Sequence, residues 1–120
     1  MNRRRCVCVL ALLAATALGL AARPVAAGAR VIDLAIRGGT LPLEQRLIRV
    51  QQGDVVTLRW TSDRVLTLHL HGYDVEQRVV PGTPATMTFT ARATGRFAIE
   101  VHGGQAGRDT TLAYLEVHPR

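Results

Sequence analysis

Lysine is absent from this 120-residue chain, serine occurs once, at Ser62, and cysteine only twice, at Cys6 and Cys8. Each shortage excludes something. The lone serine sits in the turn signal Thr61-Ser62-Asp63, so no serine–histidine–acid set can be made out. Neither a glycine-rich phosphate loop nor a pair of catalytic carboxylates is visible, and enzymatic action is not expected. The missing lysine reads as coding bias, because arginine carries all the positive charge. With 48% hydrophobic and 20% charged residues the chain is no disordered tail, and its length suits one domain.

Both cysteines and much of the charge belong to one end. Arg3, Arg4 and Arg5 precede 17 uncharged residues, from Cys6 to Ala22, and Val25-Ala26-Ala27 offers small side chains before a cut. This is the layout of a secretory signal over residues 1–27, cleaved before Gly28. An uncleaved anchor is the weaker alternative, since 17 residues lie at the lower edge for a spanning helix. A periplasmic or secreted domain, 28–120, with no remaining membrane span is expected. It keeps eleven arginines against nine acids, a surplus of two within the chain's total of +6. A near-balanced domain has no electrostatic footprint for nucleic acid. It also lacks thiols, which excludes disulfides and cysteine-ligated metal.

The remaining 93 residues show no repeat and no helical period of useful length. Short alternating runs broken by turn residues predict strands over 31–37, 45–50, 54–60, 65–71, 85–92, 96–102 and 111–118. Val79 and Val80 lead into the Pro81-Gly82 turn signal. Seven or eight strands at this spacing predict an all-β Greek-key β-sandwich. Leu66, Leu68 and Leu70 supply one inner row and Phe97, Ile99 and Val101 another. Met87, Phe89 and Ala91 also face inward, and Trp60 belongs to the core.

Four histidines follow Gly28: His69, His71, His102 and His118. The leucines occupy one face of the 65–71 run, so His69 and His71 share the other. Residues two apart on a strand stand roughly 6.5–7 Å apart, and two imidazoles at that spacing can converge on one ion. Spacing alone favours, by a modest margin, two solvated histidines on a polar face or one histidine hydrogen-bonded in a turn. His102 ends a second strand on the face of Glu100, and three histidines approach one point if the two strand ends are adjacent. His118, two residues from the end, is a surface residue.

Leu66-Thr-Leu-His-Leu-His-Gly-Tyr-Asp74, Val80-Pro-Gly82, Thr88-Phe-Thr90 and Gly95-Arg-Phe-Ala-Ile-Glu-Val101 together resemble a cupredoxin domain. The likeness runs from about Ile48 to the C-terminus. It is nearest to small exported bacterial cupredoxin-like proteins carrying His-x-His-Gly-Tyr-Asp, and the His-x-His-Gly string is also similar to multicopper oxidases. The resemblance implies copper, and His69 matches the family's upstream ligand. The family's blue-copper cysteine position falls at Val101, and a His₂Cys site cannot form without thiolate. What this leaves is a histidine-only site of His69, His71 and His102 for Cu(II), with Asp74 or Glu100 nearby. The expected function is reversible Cu(II) binding by a carrier or accessory protein. A second reading is a metal-free module that binds another envelope protein, and a remote third is a type 2 copper oxidoreductase.

Overall fold

The computed structural model describes residues 27–120, so Cys6, Cys8 and all but the last residue of the expected signal lie outside the described residues. The described chain forms eight strands. They are β1 (Ala29–Ile36), β2 (Leu47–Gln51), β3 (Val55–Ser62), β4 (Leu66–Leu70), β5 (Val75–Val79), β6 (Ala85–Thr90), β7 (Gly95–His102) and β8 (Thr110–His118). Among the described residues the only helical turns are two short 3₁₀ segments, and no helix is long and apolar enough to cross a membrane.

The strands make two sheets, β1-β3-β6 and β2-β8-β7-β4-β5. Alternation explains why they pack face to face. In β3, Val56, Leu58 and Trp60 are fully buried while Val55 and Arg59 face water. In β4, Leu66, Leu68 and Leu70 point in; in β6, Met87 and Phe89 do so. Burying each such side chain stabilises by about 1.5–3 kcal/mol, and the two inner faces form one continuous core. The expected all-β sandwich is the observed architecture.

Long crossovers place β1 parallel to β3, with Leu34 opposite Trp60, and β2 parallel to β8, with Ile48 opposite Leu115. The pairing that matters for the histidines is also non-sequential. β4 lies antiparallel to β7, which sets Thr67 opposite His102 and His69 opposite Glu100.

Two local expectations are corrected and one strand is added. The 65–71 run is shorter as a strand: Val65 is exposed, and His71 opens a turn instead of ending β4. The His71 N–H still donates to the Ala98 carbonyl at 2.9 Å, but Gly72, at φ +81°, then reverses the chain. Phe97 is half-buried and packs at the core's margin. Val75–Val79 is a strand of its own at the sheet edge, with only Val79 fully buried.

Candidate metal centre

β4 and β7 are buried on their leucine and isoleucine faces, so their polar residues gather on the outer face of the larger sheet. His69 leaves the middle of that face and His102 ends the neighbouring strand. Their positions are diagonal across the pair, a separation that large side chains bridge. The two rings stack with centroids 5.1 Å apart and planes 26° apart. On its other side His69 meets His71, with centroids 4.3 Å apart and planes tilted by 60°. The three predicted histidines therefore form a row, His71–His69–His102. His118 ends β8, half exposed, 3.8 Å from Glu116.

Each ring in the row meets a carboxylate through one nitrogen. His71 Nε2 lies 2.7 Å from Glu100 Oε2, His69 Nε2 lies 3.3 Å from Asp74 Oδ1, and His102 Nδ1 lies 3.0 Å from Asp109 Oδ2. A carboxylate on one imidazole nitrogen fixes the ring and its tautomer, the same role it has behind metal-bound histidines. Asp74 and Glu100 were expected near the row; Asp109 was not. It sits in the β7–β8 loop and reaches back because it accepts the Gly103 N–H at 3.1 Å. That backbone bond, helped by His102, holds its carboxyl below the ordinary carboxylate range. Only the folded loop reveals this pairing, since nothing in the Gly103–Asp109 spacing marks it.

The row is graded in exposure. His69 is 19% exposed, against 44% for His71 and 36% for His102. The second nitrogen of the central ring, His69 Nδ1, is buried and has no hydrogen-bond partner among the described residues. A buried, unsatisfied imidazole nitrogen is costly unless something binds it. Beside His102 a cavity of about 460 Å³ opens between Gly38-Gly39, Arg64 and Gly103-Gly104. The donor types thus suit a metal that prefers imidazole. As placed, however, no three His, Cys, Asp or Glu side chains among the described residues surround a single ion.

The Gly-Tyr of the same motif serves the scaffold. Tyr73 packs against Phe89 and Phe97, each at 5.0 Å between centroids, and its hydroxyl donates to the Ala93 carbonyl at 2.7 Å. The Ala93 N–H returns a bond to that hydroxyl at 3.1 Å. A Cβ on Gly72 would collide with the Phe97 ring. The turn that positions His71 is therefore closed by glycine and clasped by tyrosine.

No family model and no curated protein matches the chain. Solved structures do. A heme–copper terminal oxidase dimer aligns at TM-score 0.58 and 22% identity, over 71% of this chain and 60% of its own. The blue copper oxidase from Nitrosomonas europaea aligns at 0.56 and 23%, over 77% of this chain and 39% of its own. A copper-binding protein in its apo form aligns at 0.58 and 13%, over 73% of this chain and 86% of its own. The chain thus spans less than two thirds of the length of either oxidase. At these identities the likeness is one of fold, and the fold is a cupredoxin-like β-sandwich.

Proposed function

We propose that the chain is exported and binds Cu(II) reversibly through His69, His71 and His102, as a non-catalytic carrier or accessory protein of the periplasm or extracellular space. The observation that carries this reading is the row of three imidazoles, with His69 about 5 Å or less from each of its two neighbours and every ring backed by a carboxylate. The unsatisfied His69 Nδ1 at its centre supports it. So does the shared sandwich fold with copper proteins. Imidazole nitrogens suit Cu(II), and a domain without thiols has no soft ligand of the kind that selects Cu(I), apart from methionine. When bound, the ion would be held by these histidines, with Glu100, Asp74 and Asp109 orienting the rings behind it.

Calorimetric titration of the exported chain with Cu(II) tests this, with one equivalent expected per chain. A His69→Ala/His71→Ala double variant is expected to lose that binding, and unchanged affinity would sink the assignment. The second reading, a metal-free module that docks on another envelope protein, draws on a different observation. All three rings already have carboxylate partners, and their donors as placed do not enclose one ion. It requires that Cu(II) neither bind nor stabilise the wild-type chain.

A further inference from the structure

Asp54 is the most deeply buried charged side chain among the described residues, at 2% exposure. It closes the turn before β3, and its carboxylate gathers donors from three parts of the chain. Oδ2 accepts the Gln51 N–H at 3.0 Å and faces Arg30 Nε at 3.6 Å. Oδ1 accepts from Arg120, the last residue, and from the Gly28 N–H at 3.0 Å. Gly28 is fixed on its other side too, because its carbonyl accepts the Val55 N–H at 3.0 Å. The position of Gly28 is therefore set by the sandwich itself, one residue before β1 begins.

That nitrogen is the one the expected cut would release. Val25-Ala26-Ala27 ends the export signal, and hydrolysis of the Ala27–Gly28 peptide bond turns an amide N–H into an α-ammonium. Water supplies the hydroxyl to Ala27 and one proton to the new amine; ionisation of the Ala27 carboxylic acid releases the second, so the products are a carboxylate and an ammonium. The ammonium is then born within hydrogen-bond distance of a buried carboxylate. The bond is already charge-assisted by its carboxylate acceptor, and the new donor adds an opposite full charge to it. We propose that Asp54 is the receptor for the mature N-terminus, a site that binds the Gly28 α-ammonium after cleavage at Ala27–Gly28 and so couples export to final stabilisation of the sandwich.

The register is specific. A cut upstream leaves a neutral amide at Gly28 and puts the charge further out; a cut downstream removes the donor. Arg30 and Arg120, which also face Asp54, oppose a further cation, so the site is neutralised more than once. A carboxylate oxygen has lone pairs for two donors, and Oδ1 uses both. The inference rests on the export part of the proposed function and is independent of the metal.

The test uses the chain exported from a bacterial host with its own leader. Mass spectrometry maps its N-terminus, and NMR of the isotopically methylated amine follows the titration. Expected are a terminus at Gly28 and an amine that titrates above its ordinary value of about 7.7–8.0. In a folded Asp54→Asn variant the amine returns to the ordinary range. An uncut chain overturns the export reading and this inference together. A Gly28 terminus with an ordinary amine overturns the inference alone, as does an amine that stays raised in folded Asp54→Asn. If that variant does not fold, the wild-type titration remains decisive.

Discussion

Gly72 and Tyr73 divide the His-Gly-Tyr-Asp string between two jobs that adjacent letters conceal. Any side chain at Gly72 meets the Phe97 ring and must also adopt φ +81°. Gly72→Ala is expected to cost about 1–2 kcal/mol for the left-handed backbone and about 1–3 kcal/mol more for overpacking. Urea denaturation would show it as a lower midpoint with an unchanged slope. Tyr73→Phe keeps the ring contacts and loses only the two Ala93 bonds, so a milder loss of about 1 kcal/mol is expected. Asp54 and Asp63 act at the same scale through pH. Backbone N–H groups, from Gly28 and Gln51 for Asp54 and from Gly38 for Asp63, hold both carboxyls below the ordinary 3.8. Because the folded values are depressed, their stabilising effect is complete above the unfolded carboxyl value, near 3.9. It is lost as pH falls through the folded ones. Stability measured by urea melts should therefore drop between about pH 4 and pH 2, and less steeply in Asp54→Asn. An identical slope in that variant would show that Asp54 contributes nothing to the acid limb.

At the scale of the element, β4 carries stability on one face and the candidate site on the other. Leu68 is fully buried, and Leu68→Ala should cost about 2–5 kcal/mol. His69→Ala removes a 19%-exposed ring with an unsatisfied nitrogen, and is expected to leave the unfolding midpoint nearly unchanged while weakening Cu(II) binding. A calorimetric titration beside a thermal melt separates the two, and equal effects on both readouts would refute the division of faces. The same strand shows what was legible in advance. Leu66, Leu68 and Leu70 alternate with Thr67 and His69, so its faces could be read from period alone. β3 and β6 were equally plain. β5 was not, because an edge strand reading Val-Glu-Gln-Arg-Val buries little and has no clear alternation. The site was legible in part: His69 and His71 announce themselves by spacing. The nearness of His102 depends on β4 pairing with β7, a contact between strands far apart in sequence. Asp109 depends on the shape of a loop, which no periodicity encodes.

At the scale of the whole molecule, no cysteine occurs after Cys8, so no disulfide crosslinks the described residues. Reducing agent should therefore leave the thermal midpoint of the metal-free exported chain unchanged. For the same reason Cu(II) should bind without the intense blue colour that thiolate ligation gives. The copper-loaded molecule offers the sharper prediction. An ion that binds the folded chain and not the unfolded one adds about 2.7 kcal/mol at a free concentration one hundred times its dissociation constant. For a domain of this size each kcal/mol raises the midpoint by about 4–8 °C, so saturation with Cu(II) should lift it by roughly 10–20 °C. A strong chelator should return it to the starting value, because the added stability vanishes with the free ion. In His69→Ala/His71→Ala the midpoint should be indifferent to copper and chelator alike. Were the double variant stabilised as much as the wild type, the ion would be bound elsewhere, and the histidine row would be left as three carboxylate-paired side chains on the outer face of the sandwich.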